Sequence, residues 1–382
     1  MKLVTFEIRT VLGCFQRLGA WVQAGADPFA WIIDLNASYA LFLNQEGESQ
    51  PQRLANTVLP ANMQGFLEMG SLATEAAHQA IANTQPALQQ ASASPETWPL
   101  GLNQQVLAYP ETAIKLLCPL PVPRTFRDFI TFETHFKASR ARRGLEVPEA
   151  WYQMPVYYKG NQTAFIGPNV PVIWPRFTKK LDYELEWACI IGKQGRNIPV
   201  ESAADYIAGF CILNDWSARD IQREEMTCLM GPAKGKDFAT SMGPWLVTPD
   251  ELPADRNLRM TAHINQTLWS EGYTATAHWT FEQMIAHVSQ NETLYPGDVL
   301  GSGTVGNGCG LDLDRWLQPD DVVTLAVEGL GVLENRVLSP QETALQEAAR
   351  NGTAAPTLAH FGEPSDATNC QESPFSCHGS SS

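Results

Sequence analysis

Three carboxylates stand two residues apart in the segment KLDYELEWACIIG at residues 180–192: Asp182, Glu184 and Glu186. Side chains alternate between the two faces of a strand, so these three would share one face. Carboxylates spaced about 7 Å apart along a strand can converge on one hard divalent cation. The alternative is a solvated face of an antiparallel sheet, because half-exposed strands also alternate charged and apolar residues.

A further carboxylate, Asp215, ends the apolar run AGFCILND in the segment 208–226. We interpret this run as a strand followed by a polar helix, with Ser217 as a candidate N-cap. A strand end beside a helix start can hold a third metal ligand rigidly. A plain helix-capping role is the alternative for this stretch.

Two glycine-rich segments could bind the anionic group of a small ligand. The segment 231–249 carries Lys234 and Lys236 among small residues, and a surface turn is the alternative there. The segment 296–312 carries Thr304, where backbone donors could approach a carboxylate closely. Neither segment matches GxGxxG opening a helix or GxxxxGK[ST], so we exclude these nucleotide-binding motifs.

Of the seven histidines, His135 alone stands in a stretch dense in functional residue types, RTFRDFITFETHFKASRARRG at 124–144. Asp128 precedes it by seven residues, two helical turns, so a helix would put both on one face. A small basic cluster follows: Arg140, Arg142 and Arg143. In an acidic protein this cluster could steer an anionic substrate. A structural role for His135 is the alternative.

Composition narrows the class of protein. The chain has 382 residues, which is long enough to bury a large core. Its formal net charge of −15 argues against nucleic-acid binding, which needs a basic surface. The eight cysteines form no CxxC pair, which favours reduced thiols in a cytosolic protein. Neither a signal peptide nor a run of about 20 apolar residues is evident. We therefore expect a small-molecule partner, and neither nucleic acid nor a membrane.

The elements that must position these groups differ along the chain. Residues 119–340 alternate short strands, short helices and Gly-Pro turns, which predicts a curled mixed sheet, a β-roll or barrel, rather than a doubly wound fold. Residues 1–118 combine strand-like pieces with alanine-rich helical stretches and predict a smaller accessory domain, ending at a proline-rich hinge. Residues 341–382 predict a short helix and a disordered polar tail. The expected class is α+β, mainly β.

Four motifs occur in order after the segment that holds Asp128 and His135: DYELEW, NDWSARD, GPAKGKDF and GSGTVG. Together they resemble the fumarylacetoacetate hydrolase family, including its fumarylacetoacetase branch with a separate N-terminal domain. The resemblance covers roughly residues 121–337. It implies the family's mixed β-roll and a homodimer.

The resemblance also implies a divalent cation, Mg²⁺, Mn²⁺ or Ca²⁺, and a set of site residues. The residues it implies at the metal are Asp128, Glu184, Glu186, Asp215, Lys236 and Thr240. The implied catalytic groups are the general base His135, Asp312, which orients it, and Lys236. The implied substrate contacts are Arg142, Arg143, Tyr158, Gln222 and Thr304.

Some positions depart from the fumarylacetoacetase pattern. Met226 stands where that branch has a second substrate-contacting tyrosine, and the spacing from Asp215 to Lys236 is one residue longer. Neither Arg142 nor Arg143 has the spacing expected of the arginine that follows the base. These changes concern substrate recognition more than the metal.

We therefore expect a metal-dependent hydrolase that cleaves a carbon–carbon bond in a 1,3-diketo acid of the fumarylacetoacetate, fumarylpyruvate or acylpyruvate type. The ion would stabilise the developing enolate, and His135, oriented by Asp312 or Glu133, would activate water. One alternative is a hydratase, decarboxylase or tautomerase of a 2-oxo acid on the same metal site. The other is a non-catalytic metal-binding or ligand-binding protein, against which the complete set of site residues argues.

Overall fold

Apolar segments between Gly and Pro turns form most strands of this chain, as the pattern predicts. The structure, a computed structural model, describes residues 1–23 and 30–351. The strands are β1 (Lys2–Thr10), β2 (Gly13–Val22), β3 (Trp31–Asp34), β4 (Ala108–Pro110), β5 (Lys115–Leu116), β6 (Thr125–Phe129), β7 (Tyr157–Lys159), β8 (Phe165–Ile166), β9 (Leu181–Asp182), β10 (Glu186–Ile191), β11 (Gly195–Arg196), β12 (Ile207–Asp215), β13 (Ser217–Ala218), β14 (Thr240–Val247), β15 (Arg259–Ile264), β16 (Thr267–Tyr273), β17 (Thr293–Leu294), β18 (Asp298–Gly301), β19 (Val322–Val327) and β20 (Gly331–Arg336).

The α-helices are interspersed among the strands along the sequence. They are α1 (Leu35–Gln45), α2 (Pro51–Val58), α3 (Met63–Met69), α4 (Ser71–Leu88), α5 (Glu133–Ala141), α6 (Ala150–Gln153), α7 (Arg219–Thr227), α8 (Phe281–Val288), α9 (Gly310–Leu313) and α10 (Pro340–Asn351). The alanine-rich stretch forms α4, and its buried residues Ala73, Ala76, Ala77 and Ala80 follow the helical period.

A mixed sheet of 12 strands organises the molecule, in the order β4-β3-β2-β1-β14-β12-β10-β18-β6-β7, with β5 on β1 and β8 on β14. Its pairs are antiparallel except β18 with β6 and β14 with β8. A second sheet has the order β16-β15-β19-β20, and the pairs β11-β17 and β13-β9 stand apart. The predicted α+β class with a mixed sheet is confirmed. Among the described residues the main sheet runs as an open path rather than a closed barrel.

Strands from both parts of the sequence share the main sheet. β1 pairs with β14, placing Leu3 opposite Leu246, and β2, β3 and β4 extend the sheet from there. One buried cluster accordingly joins Leu3 and Leu18 to Cys211 and Leu246. Met1–Leu338 form one compact unit. The predicted domain boundary at residue 118 falls inside that unit and stays a prediction about the organisation of the chain.

The largest core cluster joins strands of the main sheet to strands of the second sheet. Trp187 of β10 stacks on Phe210 of β12 with ring centroids 5.1 Å apart, and Phe281 of α8 packs against both. Leu325 and Leu333 belong to the same cluster. This packing fixes β10 and β12, the two strands that carry the acidic motifs.

The second unit begins at Ser339, and its described part is α10. This confirms the short helix predicted there, whereas the predicted polar tail lies outside the described residues. In the part of the chain that the structure describes, no helix is both long and apolar enough to cross a membrane. The cysteines in the described residues are free thiols.

Candidate active site

Six neighbouring strands of the main sheet bring the candidate residues into one row. Asp215 at the end of β12 lies opposite Thr240, the first residue of β14. Glu186 begins β10 on the other side of β12. Beyond β18, Asp128 of β6 lies opposite Tyr158 of β7. These residues meet at one end of the sheet although they lie far apart in the sequence.

Asp128, Glu184 and Glu186 form a cluster of buried carboxylates. One oxygen from each lies within 4.8 Å of the others, and each residue is at most 4 % exposed. The solvated-face interpretation of the DYELE segment is therefore wrong. The segment is also not one continuous strand, because Asp182 ends β9 and Glu184 bridges Cys309 before β10 begins.

Crowding of these carboxylates changes their protonation equilibria. Burial, and then repulsion from neighbouring carboxylates, raises the pKa of Asp128 and Glu186 well above the ordinary value. Burial also acts to raise the pKa of Glu184, but the cations Lys236 and Arg219 outweigh it and hold the pKa low. The cluster would therefore carry more negative charge than its protein cations balance only when all of its carboxylates are ionised.

Lys236 is a buried cation between two carboxylates. Its Nζ lies 2.6 Å from Asp215 Oδ2 and forms an ion pair with Glu184. Burial acts to lower the pKa of Lys236, but these carboxylates raise it. The Tyr158 hydroxyl donates to Asp215, and the Thr240 hydroxyl donates to Asp215 Oδ1 at 3.3 Å. The Asp215 carboxylate is thus engaged by three protein groups.

Asp128 has an oxygen with no such engagement. Its Oδ1 is buried and has no hydrogen-bond partner among the described residues. Gly301 leaves room for this oxygen, since a Cβ there would collide with it. Glu186 accepts the Gly303 N–H at 3.1 Å and the Thr304 hydroxyl at 3.3 Å. An unpartnered carboxylate oxygen beside other buried carboxylates fits an oxygen-preferring divalent cation, so these residues fit the implied metal.

His135 on α5 is held by a carboxylate from α9. Its Nδ1 lies 2.9 Å from Asp312 Oδ2 and 3.1 Å from Asp312 Oδ1. The Asn307 N–H donates to Asp312 Oδ2 at 3.1 Å and fixes the carboxylate in turn. Glu133, the other group considered for orienting the imidazole, instead contacts side chains of its own surface region. The structure therefore brings together His135 and Asp312.

Two local predictions from the sequence are wrong. Asp128 lies in β6 and His135 in α5, so a strand, a turn and a helix bring them to one cavity, not a common helix face. Ser217 is not the N-cap of α7, because β13 extends the chain through Ala218 before the helix begins. The Ser217 hydroxyl donates instead to the Asp215 backbone carbonyl at 3.0 Å.

A cavity of about 740 Å³ opens beside the carboxylate cluster. The predicted site residues that line it are Asp128, His135, Arg142, Arg143, Tyr158, Glu184, Glu186, Gln222, Lys236 and Thr304. Asp215 and Asp312 lie behind this lining, bonded to Lys236 and His135. Met226, one of the departures from the family pattern, lines the cavity as well.

Basic side chains also line the cavity: Arg140, Arg142, Arg143, Arg223 and Lys180. Arg142 and Arg143 are exposed, and the hydrogen-bond contacts of their guanidinium groups are long. An Arg142 N–H lies 3.3 Å from Asp314 Oδ1, and an Arg143 N–H lies 3.5 Å from Met226 Sδ. Lys234 is outside the lining, consistent with the surface-turn interpretation of that residue.

Sequence reasoning missed Arg219, a buried residue of the NDWSARD motif. Its Nε lies 2.8 Å from Asp182 Oδ2, and its other nitrogens lie 2.8 Å from Glu184 Oε1 and 3.0 Å from Gln222 Oε1. Asp182 also accepts the Gly310 N–H at 2.7 Å. Asp182 therefore ties Arg219 to α9. The one feature of the sequence that could have pointed to Arg219 is its position, directly after a run of residues that the structure shows to be buried.

Comparison with known proteins identifies the family of this chain. The family model for the C-terminal domain of fumarylacetoacetate (FAA) hydrolase matches residues 124–338. The chain is 30 % identical over 283 residues to the mitochondrial oxaloacetate tautomerase of Rattus norvegicus, covering 73 % of this chain and 80 % of that protein. It is 37 % identical over 206 residues to an uncharacterised protein of Pyrococcus abyssi, covering 53 % and 86 %.

Solved structures share the fold over nearly the whole of their length. The fumarylacetoacetate hydrolase of Exiguobacterium antarcticum has a TM-score of 0.61 at 23 % identity, covering 89 % of this chain and 99 % of that one. The maleylpyruvate hydrolase of Sphingobium sp. SYK-6 has a TM-score of 0.60 at 20 % identity, covering 88 % and 99 %. The chain therefore belongs to the fumarylacetoacetate hydrolase family.

Proposed function

We propose that this protein is a metal-dependent hydrolase that cleaves a carbon–carbon bond in a 1,3-diketo acid of the fumarylacetoacetate, fumarylpyruvate or acylpyruvate type. The observation that carries the proposal is the His135–Asp312 pair at the same cavity as the three-carboxylate cluster. A base held in one tautomer beside a cation site suits activation of water, whereas a keto–enol tautomerisation needs no nucleophilic water.

Asp128, Glu184 and Glu186 would hold the divalent cation, because their oxygens converge and one of them is unpartnered. Mg²⁺, Mn²⁺ and Ca²⁺ all prefer such oxygen ligands. When bound, an ion of this kind polarises carbonyl oxygens and stabilises negative charge that develops on them. Direct ligation by Asp215 and a contact from Thr240 stay predictions, since Asp215 bonds to Lys236 and Tyr158 in this structure.

His135 would act as the general base for the water. Donation from Nδ1–H to Asp312 leaves Nε2 as the proton acceptor, and Asp312 stabilises the imidazolium that forms. The water oxygen bonds to one carbonyl carbon, and the bond from that carbon to the carbon between the two carbonyls breaks. The proton on His135 then returns to the released carbon, so the products are a carboxylic acid and a ketone-containing acid.

Lys236 would supply positive charge near the reacting oxygens, since its neighbouring carboxylates keep it protonated. Tyr158 and Gln222 line the same cavity and are proposed substrate contacts. Thr304 donates to Glu186, which supports a place on the cation side of the substrate.

The basic part of the lining would bind the carboxylate at the far end of the substrate. Arg142 and Arg143 present guanidinium donors that suit a carboxylate, and their existing contacts are weak. This arrangement supports a substrate that is anionic at the end remote from the cation site.

A substrate panel after chelator treatment tests the proposal. Fumarylacetoacetate, fumarylpyruvate, acylpyruvates and oxaloacetate would be assayed with Mg²⁺ and with Mn²⁺, and each product identified by mass. We expect cation-dependent cleavage of at least one diketo acid into two acids, abolished in His135→Gln. Conversion of oxaloacetate alone, without cleavage of any diketo acid, would overturn the hydrolase assignment.

Tautomerisation of a 2-oxo acid is the second candidate, favoured by the 30 % identity to a rat protein named as an oxaloacetate tautomerase. The same cation site and base could move a proton between carbon and oxygen without breaking a carbon–carbon bond. Proton exchange at the carbon beside the carbonyl, measured in deuterated water, distinguishes this reaction from hydrolysis.

A further inference from the structure

A buried thiol adjoins the proposed base. Cys309 Sγ lies 3.8 Å from His135 Nδ1, and Cys309 is fully buried. Ligand atoms of His135, Cys309 and Asp312 all lie within 4.8 Å of one another. Imidazole, thiolate and carboxylate are the ligand types of zinc sites, whereas the all-carboxylate cluster suits harder cations. The proposed hydrolysis assigns no task to this thiol.

The separations are close to those a tetrahedral site requires. Sulfur and nitrogen ligands at 2.3 and about 2.05 Å from Zn²⁺ lie about 3.6 Å from each other. The observed Sγ to Nδ1 distance is 3.8 Å. The nitrogen to carboxylate separation would widen from 2.9 Å to about 3.3 Å on the same geometry. These two separations therefore need shifts of only a few tenths of an ångström, and the Cys309 Sγ to Asp312 carboxylate separation, which is within 4.8 Å, would need to be about 3.6 Å.

Charge also favours an ion at this position. A thiolate from Cys309 and the carboxylate of Asp312 together balance the two charges of the ion, so the filled site carries no net charge in a buried region. The backbone around Cys309 is fixed, since Cys309 bridges Glu184 and the Leu185 N–H donates to the Gly308 carbonyl at 2.9 Å. His135 lines the cavity, so one of the three ligands borders it.

We propose that His135, Cys309 and Asp312 form a second metal site, for a soft divalent cation such as Zn²⁺ or Cd²⁺, and that filling it inhibits the enzyme. The ion takes the Nδ1 lone pair, so the imidazole proton resides on Nε2 and the ring cannot accept a proton from water. The thiol proton is released to solvent as the thiolate binds. The inhibition rests on the proposed function, whereas the binding does not.

Cadmium titration tests the site. Cd²⁺ is added to the full-length protein in excess Mg²⁺, and the ultraviolet thiolate-to-cadmium charge-transfer band is recorded beside activity. We expect one equivalent of the band to disappear in Cys309→Ser, and Cd²⁺ inhibition to weaken at least about tenfold there. Cys228→Ser removes an exposed thiol and should keep both the buried-site band and the inhibition.

Two results would overturn the proposal: a band of undiminished intensity in Cys309→Ser, or equal inhibition of that variant and the parent. If the serine variant does not fold, His135→Gln serves instead, because it keeps the thiol and should lower Cd²⁺ affinity at least about tenfold. Failure of the hydrolase assignment alone would leave the absorbance difference intact, so the two ideas are separable.

Discussion

His135 Nδ1 lies 2.9 Å from Asp312 Oδ2, across 177 positions of the sequence. The imidazole comes from α5, and the carboxylate comes from α9, a helix of only four residues. Asp182 accepts backbone N–H groups at the start of that helix and so helps to place it. The orientation of the proposed base therefore depends on a chain of contacts that reaches the DYELE motif.

Asp312→Asn should lower kcat at least about 100-fold with KM changed less than about threefold. An amide can donate a hydrogen bond to Nδ1, which favours the tautomer with the proton on Nε2 and removes the base. Steady-state kinetics on the best diketo acid measures this. Asp320→Asn, which alters an exposed ion pair with Arg336, is the matched control. Equal kcat values for Asp312→Asn and the parent would contradict the proposed role.

Glu186→Gln should weaken binding of the divalent cation more than about tenfold, because a charged oxygen ligand becomes a neutral amide. Elemental analysis after dialysis and calorimetric titration with Mn²⁺ both measure the change. Glu271→Gln removes an exposed carboxylate paired with Arg259 and should bind metal as the parent does. Unchanged metal content in Glu186→Gln would show that the cation binds elsewhere.

The chelated protein should lose thermal stability as pH rises from 5 to 8. Burial and neighbouring carboxylates raise the pKa of Asp128 and Glu186 in the folded state. Protonation of such groups favours folding, so their contribution is full below the unfolded pKa of about 4 and is lost as pH passes the raised folded pKa. Glu184, whose pKa is lowered, stays ionised in both states over this range.

Thermal unfolding with chelator and with Mg²⁺ measures this effect. We expect Tm to fall by several degrees between pH 5 and 8 with chelator, and less with Mg²⁺, since a bound cation offsets the repulsion. Glu186→Gln should flatten the chelated profile because it removes one of the repelling charges. A chelated Tm that does not fall over this range would contradict the prediction.

The sequence indicated which residues share the candidate site more accurately than it indicated their local structure. Glu184 and Glu186 could be proposed as metal ligands from their types, spacing and family motif, and the buried carboxylate cluster is compatible with that proposal. The prediction that they share one strand face could not be made securely from the sequence. Periodicity does not reveal that the strand is interrupted at Tyr183 and that Glu184 forms an isolated bridge with Cys309. Burial of Glu184 and Glu186 excludes the solvated-face interpretation, which the alternating pattern alone could not do.

Elsewhere, contacts between segments that are distant in the sequence limited what the sequence could predict. The α+β class followed from strand and turn signals, but the pairing of β1 with β14 depends on packing between distant segments. Asp128 and His135 were placed on a common helix because seven residues match two turns, whereas β6 ends between them. Arg219 was overlooked because its role is visible only once Asp182 and Glu184 lie beside it.

Arg142→Gln and Arg143→Gln should each raise KM for a diketo acid about tenfold and leave kcat within about threefold. These arginines line the cavity and have no contact with the carboxylate cluster among the hydrogen bonds and ion pairs of the described residues, so we expect them to bind substrate and transition state alike. Kinetics at two ionic strengths measures the effect, which salt should diminish. Arg196→Gln, an exposed position outside the lining, is the control. A fall in kcat with constant KM would contradict a role in substrate binding.

Arg219→Met should lower the free energy of unfolding by about 3–5 kcal/mol, the cost typical of leaving a buried ion pair without one partner. Arg219 is buried, and its guanidinium joins Asp182 to Glu184, so its loss leaves two buried carboxylates with less compensation. Urea unfolding of the chelated protein measures the change, and Arg259→Met, which breaks an exposed pair with Glu271, should alter stability little.

Adding Asp182→Asn to Arg219→Met should recover part of the loss, because one of the uncompensated charges is then removed. A loss no larger than that of the Arg259 variant would mean that the carboxylates find other partners, and that Arg219 does not hold this part of the site in place.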